Sequence, residues 1–121
     1  MDDCYNANPT SGRAAIDSLA SLSGRHVCIL GDMLEMGGNA PELHRSVGEY
    51  AAAHGVDLVI TQGELAKYIA EGAGTAGAHY ADRSSLLAAL PELLHEGDVV
   101  LVKASHGAHF EEISEAVKQL S

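Results

Sequence analysis

Four short stretches of this chain carry side chains able to do chemistry: Asn6 with Asn8, Asp32 with Glu35, Thr61 with Gln62, and Lys103 with Ser105 and His106. Their spacing argues against several familiar reactions. "LGDMLEMGG" is glycine-rich, but it fits neither GxGxxG nor GxxxxGK[ST], so it is no phosphate cradle of those kinds. His106 and His109 could share a helical face, yet no third metal ligand is close in sequence, and solvated or capping histidines are the simpler reading. Ser105 next to His106 suggests a nucleophile and its base. Adjacent residues rarely point at one another, however, and the strained GxSxG elbow is missing. Glu111, Glu112 and Glu115 read as an exposed helix face, the first two favoured by the positive end of the helix dipole. The remaining polar residues read as a binding edge made of loops.

Composition limits what such an edge can bind. The chain has 121 residues, 46% of them hydrophobic, which fits one globular domain over residues 1–121. A domain of this size buries roughly two thirds of the surface its unfolded chain exposes. No apolar run reaches about 18 residues and no basic-then-apolar leader opens the chain, so a cytoplasmic protein without membrane insertion is expected. Cys4 and Cys28 show no CxxC spacing and are expected to be reduced thiols. The net charge of -10 argues against nucleic acid as a partner. An anionic small molecule would have to be held locally, by backbone amides, helix N-termini and a few placed cations.

The elements that position the edge follow from periodicity. Val27–Leu30 and Val99–Val102 are apolar on consecutive residues, and Val56–Ile60 repeats the design apart from Asp57, as in strands covered on both faces of a parallel sheet. "DDCYN" and "AHYAD" are weaker strand candidates. Stripes of helical period lie between them: Ile16, Leu19 and Leu22; Leu43, Val47 and Tyr50 after Pro41; Leu65, Tyr68 and Ile69; and Phe110, Ile113, Val117 and Leu120. Pro41 suits a first helical turn. Pro91 interrupts the stripe of Leu86, Leu87, Leu90, Leu93 and Leu94 and is expected to kink or split that helix. Strand and helix alternate five times, which predicts a three-layer, doubly wound, Rossmann-like α/β domain with a mostly parallel sheet. In such sheets ligands bind beyond the carboxyl ends of the strands, where the polar groups above fall.

Together, "DDCYNANP" before a helix, "ILGDMLEMG" about twenty residues later and "GDVVLVKASHG" near the end resemble the C-terminal domain of the Mur ligases. The resemblance runs over essentially the whole chain. It implies one domain of an ATP-dependent amide ligase of peptidoglycan synthesis, acting on UDP-N-acetylmuramoyl-tripeptide and D-alanyl-D-alanine. ATP phosphorylates the tripeptide's terminal carboxylate, and the dipeptide amine attacks the acyl phosphate. The resemblance further implies that Asp3 reaches the ATP ribose, with Tyr5, Asn6 and Asn8 against the adenine and neighbouring groups. Asp32 and Glu35 match residues facing the interdomain cleft. Lys103 with Ser105 matches a "KGS" segment near the dipeptide and the transferring phosphate, and His106 follows it among the substrate-binding residues. The family usually has Ser at position 4 and Gly at position 104, where this chain has Cys4 and Ala104. The P-loop and magnesium ligands are expected in a central ATPase domain and the UDP-substrate site in a further domain, so these 121 residues alone are expected to be inactive.

A rival reading is a free-standing doubly wound binding module of the phospho-receiver kind. Such a module needs an acidic pair after its first strand, an Asp after its third and a Lys after its fifth. Lys103 fits, but Thr61 and Gln62 stand where the Asp should be.

Overall fold

The runs of consecutive apolar residues form the centre of a single sheet. The computed structural model describes residues 2–3, 9–32, 40–103, 115 and 117. Strand β1 (Asp2–Asp3) leads to helix α1 (Pro9–Ala20), β2 (His26–Gly31), α2 (Ala40–Ala53), β3 (Leu58–Gln62) and α3 (Ala66–Ala73). A single 3-10 turn, Gly74–Ala76, then precedes β4 (Gly77–Tyr80), α4 (Arg83–Leu93) and β5 (Val99–Lys103). The five strands are parallel in the order β1-β5-β2-β3-β4.

That order sorts the helices between the two faces. The connections from β1 to β2, β2 to β3 and β3 to β4 step one way across the sheet, and the one from β4 to β5 steps back. Right-handed crossovers then put α1, α2 and α3 on one face and α4 on the other. The core has this division. Ile16 and Leu19 of α1, Val47 and Ala51 of α2 and Ile69 of α3 pack on Cys28, Leu30, Val59 and Leu101. Leu86 and Leu90 of α4 pack on Val27, Ile29, Ile60 and Val102, with Val117 against the same cluster. Each fully buried Leu or Ile contributes about 1.5–3 kcal/mol. Cys28 lies within this core, and burial pushes its thiol up to about 12, so it stays a neutral packing group.

Three details depart from the sequence expectations. Leu22 lies beyond the end of α1 and is 41% exposed, so it is no part of that helix's buried stripe. Thr61 and Gln62 are the last residues of β3, not a loop after it. Pro91 does not split α4, which runs through it to Leu93. The proline falls in the final turn, where little helix remains to be disrupted, and the ladder closes beyond it with Leu94 N–H donating to Leu90 O at 3.0 Å. Pro41 takes its expected place in the first turn of α2. Asp82 caps α4, its Oδ1 accepting from Ser85 N–H at 2.7 Å.

A charged clamp fixes the amino end of β5. Arg25 donates through Nε to Asp98 Oδ1 (3.0 Å) and through Nη2 to Asp98 Oδ2 (2.8 Å) and Leu93 O (2.6 Å). Hydrogen bonding from Arg25 holds the Asp98 carboxyl below its ordinary value. Folded Asp98 therefore takes up a proton less readily than unfolded Asp98. Its stabilisation is present above the ordinary carboxylate pKa and is lost as pH falls through the lowered one. Calorimetry across the acid range below about pH 4 should show the melting temperature falling, and Asp98→Asn should make that fall shallower while lowering stability at neutral pH. An unchanged acid limb in the variant would show that the clamp does not drive it.

Candidate functional site

Strand register brings candidate residues from distant parts of the chain to one edge. Asp3 at the end of β1 pairs with Lys103 at the end of β5, and Lys103 also pairs with Leu30 of β2, two residues before Asp32. Asp3, Lys103 and Asp32 thus stand at the carboxyl ends of three adjoining strands, although 100 positions separate the first two in the sequence. The chain leaves β1 and β2 toward the α1–α3 face, whereas Val117, after β5, packs on the α4 face. β5 therefore sits at the topological switch point, where open α/β sheets form ligand crevices. Tyr5, Asn6, Asn8, Glu35, Ser105 and His106 lie outside the described residues, as does His109.

Asp32 has a structural task that its sequence position does not announce. Its Oδ1 accepts hydrogen bonds from the backbone N–H groups of Leu65 (3.0 Å) and Ala66 (2.8 Å), the first donors of α3. Helix α3 has no side-chain cap from Leu65 at its own N-cap position, so a carboxylate 33 residues away supplies one. Gly63 makes room for it. A Cβ at Gly63 would lie 2.3 Å from Asp32 Oδ1, and the glycine's φ of +130° is itself a conformation that other residues rarely adopt. Asp32→Ala should cost about 1 kcal/mol in urea unfolding of the chain, the usual loss for a missing cap. Unchanged stability would leave Asp32 without this role.

Next along the edge, Thr61 is fully buried and its Oγ1 bonds His79 Nδ1 at 2.8 Å. Burial and the nearby Lys67 hold His79 below the ordinary histidine range, so its ring favours the neutral form. When Nδ1 accepts the Thr61 hydroxyl proton, Nε2 carries the ring's hydrogen and is left as a donor. His79 and Gly63 were missed from sequence because their significance is tertiary: one lies in a weak strand signal and the other faces a side chain from a different loop. A cavity of about 510 Å3 lies elsewhere, at the opposite ends of the strands, against Leu94, Gly97, Asp98 and Val100. Among the described residues no three His, Cys, Asp or Glu side chains converge to hold a metal ion, and no helix is long and apolar enough to cross a membrane.

Residues 1–106 match the family model described as Mur ligase, glutamate ligase domain. The chain is similar to UDP-N-acetylmuramoyl-tripeptide--D-alanyl-D-alanine ligase of Escherichia coli strain K12, at 39% identity over 121 residues, covering 98% of this chain and 26% of that protein. It is 40% identical over 120 residues to the Bacillus subtilis strain 168 protein of the same name, covering 93% of this chain and 26% of the relative. Among solved structures it resembles the MurF ligase of Thermotoga maritima in complex with ADP, with a TM-score of 0.82 and 26% identity, covering 98% of this chain and 27% of that one. A MurF structure from Acinetobacter baumannii gives a TM-score of 0.83 at 30% identity, with 98% and 26% covered. The chain therefore spans about a quarter of the length of the relatives it matches.

Proposed function

Because this chain belongs to the Mur ligase family through its glutamate ligase domain, we propose that it is the C-terminal domain, residues 1–121, of an ATP-dependent ligase joining D-alanyl-D-alanine to UDP-N-acetylmuramoyl-tripeptide. The observation that carries this reading is the register that sets Asp3, Lys103 and Asp32 at adjoining strand ends on the switch-point edge. A carboxylate is a poor electrophile with a poor leaving group. ATP transfers its γ-phosphoryl group to the tripeptide carboxylate, giving an acyl phosphate and ADP. The dipeptide amine then attacks the acyl carbon, the amide forms as the C–O bond to phosphate breaks, and the amine's proton is lost.

In this reading the chain's share is binding and positioning. Asp3 accepts from the ribose hydroxyls, with Tyr5, Asn6 and Asn8 along the adenine side. Lys103 lies toward the transferring phosphate, with Ser105 and His106 beside it and Asp32 and Glu35 facing the cleft. Lys103 answers the need for a placed cation in a chain of net charge -10. The P-loop and magnesium ligands are assigned to the central ATPase domain, against which this edge closes, and the ligase to the cytoplasm.

The test uses a chimera in which this chain replaces the corresponding quarter of the Escherichia coli ligase. Asp3→Ala and Asn8→Ala should each raise the ATP Michaelis constant about three- to tenfold, the equivalent of one lost hydrogen bond, without unfolding the protein. An unchanged constant in both variants would remove the opening segment from the nucleotide site.

A further inference from the structure

We propose that His26 is a pH-operated latch at the amino ends of the strands: its imidazolium form ties the turn leaving α1 to the turn leaving α2, and its neutral form releases one of them. The inference is independent of the ligase reading and uses no residue of the candidate site. His26 opens β2, and its ring reaches both turns. Nε2 lies 2.5 Å from Leu22 O, just beyond α1, and Nδ1 lies 3.3 Å from Gly55 O, just beyond α2. Among the described residues neither carbonyl oxygen accepts from any other group.

The chemistry of the ring makes this geometry a switch. A carbonyl oxygen only accepts, whereas a neutral imidazole has one N–H donor and one bare nitrogen. Either neutral tautomer therefore sets a lone pair against a carbonyl oxygen. Only the imidazolium, with two N–H groups, satisfies both contacts. On losing a proton the ring keeps its hydrogen on Nε2, where the contact is shorter, and Nδ1 lets Gly55 O go. The Gly55 turn has room to follow: its φ is +84°, and a Cβ placed there would meet nothing within 4 Å. Its own bond, Gly55 N–H to Ala52 O, is long at 3.5 Å. Val56 N–H to Ala51 O (3.1 Å) and Asp57 N–H to His26 O (2.9 Å) must then hold the turn alone.

The surroundings favour the charged ring. Asp57, ahead of β3, accepts from the His26 backbone N–H through Oδ2 at 2.8 Å. Of the other charged groups nearby, Arg25 is paired with Asp98, at the start of β5. His54, just past α2, stacks on Tyr50, and Asp17 of α1 accepts from the Tyr50 hydroxyl. The bond to Leu22 O raises the ring's pKa above its ordinary 6.5; partial burial opposes the rise, and the Gly55 bond and Asp57 add to it. A raised folded pKa means that the stabilisation is fully present below 6.5 and is lost as pH rises through the higher folded value. The latch therefore opens on the alkaline side of the ordinary histidine range.

Ring and amide NMR of the chain across the histidine range and into mildly alkaline pH tests this. The His26 ring, assigned by through-bond correlation, should titrate above the same histidine in a peptide of residues 22–30. Below the midpoint both ring nitrogens should carry hydrogen. Over the same rise in pH the hydrogen-exchange protection factors of Val56 and Asp57 should fall about two- to tenfold, the equivalent of one lost hydrogen bond. In His26→Gln, which cannot titrate, they should stay level. A midpoint at or below that of the peptide would overturn the latch. So would protection that stays level in the unaltered chain, or that falls equally in His26→Gln. The ring titration is read on the unaltered chain, so it decides the matter whether or not the variant folds.

Discussion

Gly48→Ala is expected to destabilise the chain by about 3 kcal/mol or more, although alanine favours a helix over glycine by about 1 kcal/mol. A Cβ at Gly48 of α2 would lie 1.9 Å from Ile69 O and 2.8 Å from Ala73 N, both backbone atoms of α3. Gly72 of α3 answers it, since a Cβ there would lie 2.1 Å from Arg45 O of α2. Neither clash falls on a flexible side-chain end that could swing aside, so the helices must separate and loosen the packing of Val47, Ala51 and Ile69 on the sheet. The strain exceeds the propensity gain, and the net effect is a large share of the 5–15 kcal/mol that holds most domains together. Thermal unfolding should show the melting temperature of Gly48→Ala, and likewise of Gly72→Ala, falling by about 10 °C or more. A variant as stable as the parent chain would mean that α2 and α3 do not approach this closely.

Lys103→Ala in the chimeric ligase should lower turnover by about 10²- to 10³-fold, the usual effect of removing one preorganised group that stabilises developing charge. Stability should change little, because the strand holding Lys103 is anchored by Leu101 and Val102, which are buried. Lys103→Arg keeps the charge and should recover part of the activity. The quantities to compare are kcat and the Michaelis constant for each substrate. A loss confined to the Michaelis constant for one substrate would make Lys103 a binding group with no share in stabilising the transferring phosphate.

Much of the fold could be read from the residues alone. Val27–Leu30 and Val99–Val102 are apolar at every position because both faces of β2 and β5 are covered, and that pattern survives without any knowledge of their neighbours. Val56 shows the limit of the method: it is buried, but it lies just before β3, since burial alone does not set a strand boundary. Pro91 shows another, because its cost depends on how much helix follows it. The candidate site was less legible. That Asp3 and Lys103 share an edge follows from β5 inserting beside β1, a long-range pairing with no local signal. Asp32 reads as a loop carboxylate until its partners, Leu65 and Ala66, are seen. Lys67 and His79 line one hollow only because α3 begins where β4 ends, a juxtaposition with no local signal.

The central claim is that this chain completes a ligase adding D-alanyl-D-alanine, and ADP release by the chimera tests it most directly. With UDP-N-acetylmuramoyl-tripeptide, ATP and magnesium present, ADP should accumulate together with the ligated product only when D-alanyl-D-alanine is added, and the 121-residue chain by itself should release none. A folded chimera whose ADP release does not depend on D-alanyl-D-alanine, or turnover by the chain alone, would contradict the account.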